Sequence, residues 1–131
     1  MSLLGEDVKT FLVSKGVTAP IITEGDVPEM PDRVLVITMT GGPGESGERT
    51  RDNVAFQIRT RGKQGIPGDG GSFARDIDDV LLGAVPPLQM GTRRAIRILR
   101  FGGPPSYLLR DPGNRVHHVC NYLVEVTRTV H

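Results

Sequence analysis

The sequence predicts an α+β domain: a mostly antiparallel or mixed sheet of about five strands with two helices packed on it and long Gly-rich loops. Three observations carry this. Residues 53–61 alternate, with Val54, Phe56, Ile58 and Thr60 on one face and Ala55, Gln57, Arg59 and Arg61 on the other, the pattern of a strand with one buried and one wet face. Residues 72–83 place Phe73, Ile77, Val80 and Leu81 at helical spacing, with Arg75, Asp76, Asp78 and Asp79 mostly opposite, which describes a helix with one face to dock. The remaining strand-like segments group on either side of that helix, the order expected of α+β rather than of repeated βαβ units.

Taken in order, residues 2–15 read as a helix with Leu3, Leu4, Val8, Phe11 and Leu12 in one stripe. Ser2 is its N-cap, Glu6 and Asp7 lie near its positive end, and Gly16 stops it. Ile21 and Ile22 start a short strand. Residues 24–32 are acidic and Pro-rich, a loop. Residues 33–40 hold the continuous apolar run Val34-Leu-Val-Ile, which predicts a strand covered on both faces and central in the sheet. Residues 41–52 contain no large apolar side chain and predict a mobile loop, an interaction arm or an insertion. Residues 62–71 are a Gly-rich surface loop. Residues 88–91 form a short edge strand, and residues 92–101 a strand whose arginines mark another edge. Tyr107–Arg110 and residues 115–121 make a hairpin around the turn Asp111-Pro-Gly-Asn114. The last strand, residues 116–130, points Val116, His118, Cys120, Tyr122, Val124 and Val126 one way and His117, Val119, Asn121, Leu123, Glu125 and Thr127 the other.

The 131 residues fit one domain, and 37% hydrophobic content is enough for a core. With 17 glycines and 10 prolines, long loops follow. The net charge of +1 favours neither a nucleic-acid nor a membrane partner. Its distribution is uneven: residues 1–33 hold three basic and six acidic side chains, the remainder thirteen and nine. Such a dipole suits head-to-tail contact between protein chains or a basic surface near a polyanion. A lone cysteine, Cys120, leaves no internal disulfide. There is no leader-like start and no long apolar run, so the expectation is a protein made in a cytoplasm, without a membrane partner.

Signals for chemistry are sparse. His117, His118 and Cys120 are the only soft-ligand cluster, and a strand points His117 away from the other two. Zinc needs three or four ligands, so the reading is a core cysteine flanked by surface histidines, with no metal. Residues 62–72 lie between a strand and a helix but lack both phosphate-loop spacings, since Lys63 precedes the glycines. Asp76, Asp78 and Asp79 read as a solvated helix face. No nucleophile arrangement is present, so the sequence predicts no enzyme and no cofactor. The arginines carry more signal. Arg59 and Arg61 with Lys63 form one group, and Arg93, Arg94, Arg97 and Arg100 a second; neighbouring strands would merge them into one basic surface.

These elements together resemble the tail terminator (tail-completion, minor capsid-like neck) proteins of long-tailed bacteriophages. The likeness rests on the N-terminal helix and the acidic Pro-rich link into a buried strand. It rests above all on Val-Ala-Phe-Gln-Ile-Arg-Thr-Arg-Gly at 54–62, followed by a loop and the helix from Phe73. The long terminal strand with Tyr-Leu-Val-Glu-Val-Thr-Arg at 122–128 also fits, whereas the Gly-rich 62–71 loop and the long 41–52 loop depart from the pattern. The resemblance implies an α/β sandwich that forms a hexameric ring on the head-proximal end of the tail tube. The ring stops tube polymerisation, meets the head–tail connector and lets DNA pass as cargo, in a virion assembled in the host bacterial cytoplasm. It implies no catalysis. On this reading Arg59, Arg61 and Lys63 face the lumen or a subunit interface, Arg49 and Arg51 on the 41–52 loop meet a neighbour or the tube, and Arg97 joins the basic surface. The alternatives are another neck component, a head-closure or connector adaptor, and more remotely a small ligand-binding α+β domain. Co-purification with tube protein separates the first alternative; a monomer with a ligand-dependent melting shift marks the second.

Overall fold

The computed structural model describes residues 5–23, 33–45 and 51–127. In order it holds α1 (Gly5–Ser14), β1 (Ile21–Ile22), β2 (Val34–Glu45), β3 (Arg51–Arg61), α2 (Asp69–Gly83), β4 (Leu88–Met90), β5 (Arg93–Arg100), β6 (Ser106–Arg110) and β7 (Val116–Thr127). The strands form one seven-stranded sheet in the order β1-β2-β3-β7-β5-β4, with β6 also paired to β7. Only β1–β2 is parallel; the other pairs are antiparallel. Both helices pack on one face, so the architecture is α+β as expected, with more strands than the pattern suggested. The Ser2 cap, the 24–32 loop, and the end of the terminal strand lie outside the described residues.

The core is built where the two periodicities meet. Val8, Phe11 and Leu12 of α1 and Phe73, Ile77 and Leu81 of α2 descend onto Leu35, Ile37, Val54, Phe56, Ile58, Tyr122, Val124 and Val126. Phe56 and Tyr122 stack with ring centroids 5.5 Å apart, and truncating a ring this buried costs about 3–5 kcal/mol. β3 and β7 are the spine, in register from Arg51 opposite Thr127 to Arg61 opposite His117. β2 is buried on both faces from Val34 to Ile37, as its apolar run predicts, but it sits next to edge strand β1 instead of at the centre.

Three local readings change. First, 41–45 and 51–52 are not loop. β2 and β3 continue their ladder within the sheet, with Gly44 opposite Asn53 and Glu45 opposite Asp52, while β3 stays paired to β7 as far as Arg51 opposite Thr127. Main-chain hydrogen bonds make that ladder without any apolar side chain, so hydropathy could not see it; residues 46–50 lie outside the described residues. Second, β5 is not an edge. It lies between β7 and β4, with a register shift between Ala95 and Arg97 against β7. The bulge puts Ala95 and Ile98 on the same buried side, which strict alternation would separate. Third, the Gly-rich 62–71 segment is shortened because α2 starts at Asp69. Its glycines serve contact: a Cβ on Gly62 would strike the Gly70 backbone, and one on Gly70 would strike the Val116 carbonyl. β3, α2 and β7 converge there too closely for any side chain.

Polar pins complete the fold. Asp7 Oδ1 accepts hydrogen bonds from the Thr92 N–H and hydroxyl, both 2.8 Å, so α1 holds the β4–β5 turn. Gly91 takes φ +61° in that turn, and a Cβ there would meet Asp7. Asp78 is buried, not solvated: Arg100 donates to it through Nε (3.1 Å) and Nη2, and the Tyr122 hydroxyl donates at 2.9 Å. Burial alone would raise the Asp78 carboxyl, but these bonds outweigh it and hold the pKa below its usual value. Asp76 and Asp79 do face solvent.

Candidate assembly surface

The first half of β7 is flanked by β3 on one side and β6 on the other. On the face turned away from the helices, β3 brings Arg59 opposite Val119 and Arg61 opposite His117. The Asp111-Pro-Gly-Asn114 turn folds over beside them. Asn114 N–H donates to Asp111 O at 2.9 Å, and Asn114, not Gly113, takes the left-handed conformation at φ 61°. The sequence places Pro and Gly at the turn centre; the structure is a turn followed by one left-handed residue, a common three-residue hairpin solution. Asp111 is thereby aimed inward.

A polar chain results. Arg59 Nε donates to His117 Nδ1 at 3.0 Å, which leaves the proton on His117 Nε2 to donate to Asp111 Oδ2 at 2.8 Å. The Arg115 N–H also donates to Asp111 at 3.0 Å, and its guanidinium lies 3.4 Å away. Burial, with the Arg59 and Arg61 charges, holds His117 below its ordinary pKa against the pull of Asp111. Burial would raise Asp111, but the His117 bond, the Arg115 N–H and the Arg115 charge lower it to about 2. The imidazole is therefore neutral at pH 7, clamped in one tautomer.

This corrects the expected basic surface. Arg61 is only 3% exposed and Arg59 is half-buried in the cluster, so neither projects freely. His117 is buried as well, not a surface histidine. Lys63 is exposed, and its N–H donates to Asp69 at 2.8 Å. The two arginine groups do not merge, because β7 separates β3 from β5. Arg97 is exposed at the far half of β7, opposite Glu125. Arg51 starts β3 opposite Thr127, and Arg49 lies outside the described residues.

The other flank of β7 is the surface that charge-based reasoning missed. Every residue of β6 is exposed, with Tyr107 at 62%, Leu108 at 42% and Leu109 at 37%. Phe101, at the end of β5, adds an aromatic ring at 53%. β6 pairs with β7 alone among the described strands, leaving its outer edge open. A register shift at Leu108 turns Tyr107 to the helix side, beside His118 at 6.1 Å between rings, and Leu109 to the other side. An edge strand with apolar side chains on both faces is the opposite of a protected edge. Three successive large apolar residues between Gly-Gly-Pro-Pro and a tight turn were the available signal, since so short a strand cannot bury both faces. Among the described residues no group of three or more His, Cys, Asp and Glu could hold a metal ion.

A virion protein chain has this fold. Over 95% of both chains, with a TM-score of 0.62 and 15% sequence identity, the protein is similar to a chain in the virion of the native gene transfer agent (GTA) particle. At that identity the likeness shows a shared fold. No protein-family model matches the sequence, and no curated protein matches it.

Proposed function

We propose that this protein is a structural component of a phage-like virion, a tail terminator that forms a ring on the head-proximal end of the tail tube. The ring ends tube polymerisation and joins the tail to the head connector, and it carries out no catalysis. One observation carries the proposal: the edge strand β6, paired with β7 alone among the described strands, exposes Tyr107, Leu108 and Leu109 together, the kind of surface that a protein partner covers. The end-to-end fold likeness to a chain of a GTA virion supports a particle as the setting. The β2–β3 ladder, carried by main-chain pairing to Glu45 opposite Asp52 alongside the end of β7, supplies a second element for contact along a tube or around a ring.

The test is polymerisation of tail tube protein with and without the purified protein, followed by electron microscopy. Tubes that stop growing and carry a ring at one end are expected. Tubes that elongate unchanged, while the protein co-purifies with connector protein alone, would replace this reading with a neck adaptor.

A further inference from the structure

β6 is held to the molecule by one neighbour. It pairs with β7 alone among the described strands, and every one of its residues is exposed, so no side chain of β6 anchors it in the core. The chain reaches it through Gly102, at φ +108°, and leaves it at Asp111. What β6 does meet is a pair of histidines. Tyr107 lies opposite His118 and Leu109 opposite His117, and two adjacent residues of one strand point to opposite faces of the sheet. On the outer face, His117 ties Asp111, at the end of β6, to Arg59 of β3. On the helix face, the His118 ring stands edge-on to Tyr107 and lies flush with the first turn of α2, its nitrogens 3.2 Å from where a Cβ on Gly70 or Gly71 would stand.

Both contacts need an imidazole without its second proton. His117 Nδ1 accepts from Arg59, and a proton there would set two donors face to face; Arg61 of β3 and Arg115 of β7 add charge nearby, which Asp111 offsets. His118 Nδ1 is buried with no hydrogen-bond partner among the described residues. As a lone pair it is one unpaired acceptor, but protonated it would be a buried donor with a charge and nothing to receive it. Arg75 of α2 adds a like charge, and Asp76, Asp78, Asp79 and Arg100 line the cleft beyond, where Arg100 already holds Asp78. Burial and the neighbouring cations hold both rings below the ordinary histidine pKa.

We infer that the two unprotonated imidazoles latch β6 to β7, and that acid releases β6 as a unit while the rest of the sheet stays folded. β7 keeps β3 along its length and β5 on its far half when β6 leaves. Release frees each ring to take up a proton, so the released form gains up to about tenfold per histidine for each pH unit below about 6.5. Only the consequence of the latch rests on the assembly reading above: where β6 joins one copy to the next, acid parts them.

Hydrogen exchange tests it, with exchange times scaled for the intrinsic pH dependence of amide chemistry. Between about pH 7.5 and about pH 5.5, the amides of β6 are expected to lose protection by up to about a hundredfold per pH unit, while those of α2 keep theirs. Glutamine does not titrate, so His117→Gln and His118→Gln should each halve the logarithmic slope and the double variant should flatten it. Protection lost from α2 in step with β6 would overturn the inference, because the whole domain would then be opening. A wild-type slope in the double variant, or β6 protection that ignores pH, would overturn it too. Solution mass is followed over the same range. Release of β6 at unchanged mass keeps the latch and removes β6 from the assembly contact; a mass that falls while β6 stays protected does the reverse.

Discussion

The same four residues of β7, Val116 to Val119, are bordered by two very different neighbours. On the β3 side, Arg59, His117 and Asp111 bond one another in a chain beside the buried Arg61. On the β6 side, Tyr107, Leu108 and Leu109 concentrate apolar surface and leave it uncovered. Charge suggests an outward surface and hydrophobicity an inward one, yet here each does the opposite. What marks a contact surface is not residue type but what remains unmatched once the chain has folded. The charged side has its partners within the chain, and the apolar side, Tyr107 against His118 apart, stays exposed among the described residues.

Breaking the charged side should damage folding first. Arg61→Glu places a like-for-unlike charge at a buried position, and we expect a loss of about 3 kcal/mol or more in urea unfolding. A variant of wild-type stability would return Arg61 to the surface role. His117→Ala removes the acceptor for Arg59 and the donor to Asp111, and should cost about 2–3 kcal/mol by the same measurement. A cost under about 0.5 kcal/mol, normal for surface positions, would mean the cluster is ornamental.

Acid sharpens the contrast. His117 has a folded pKa below its unfolded value, so the unfolded chain takes up the proton first. Stability should be level above about pH 6.5 and fall as pH drops through the window beneath it. Asp111 is depressed to about 2, so its contribution is intact above the unfolded carboxylate value and is lost as pH falls toward 2. Urea midpoints from pH 8 to pH 3 check this; replacing His117 should shrink the upper step, to which His118, also held low by burial, still contributes, and should weaken the lower one, because the His117 bond helps to hold Asp111 down. Smaller still, Lys63→Ala and Arg97→Ala should each change stability by no more than about 0.5 kcal/mol and leave assembly unchanged; loss of oligomers in either would restore a basic interface.

The difference between the two flanks explains what the sequence could tell. Alternation in residues 53–61 and 116–127 and the helical spacing from Phe73 to Leu81 reveal β3, β7 and α2, because each buries one face against the same core. The extension of β2 at 41–45 is invisible, since glycines in a ladder leave no hydropathic trace. The bulge at Ile96 shifts the alternation of β5 and hides its burial. Periodicity places Arg59 and Arg61 on the outer face correctly but says nothing of the Asp111 turn that folds onto it. For β6 the residues are plain to read, but their exposure depends on which strands lie beyond it, and that is a property of the whole sheet.

The most direct measurement is the solution mass, by light scattering over a range of concentrations with and without tail tube protein, of the wild type and of the Tyr107→Ser, Leu109→Ser double variant. Both positions are exposed, so the variant should keep its fold and its stability within about 0.5 kcal/mol. The account predicts a ring-sized mass for the wild type, alone or with tubes, and a monomer for the variant under every condition. A variant that assembles to the same mass as the wild type would contradict the claim that the β6 edge joins one copy to the next.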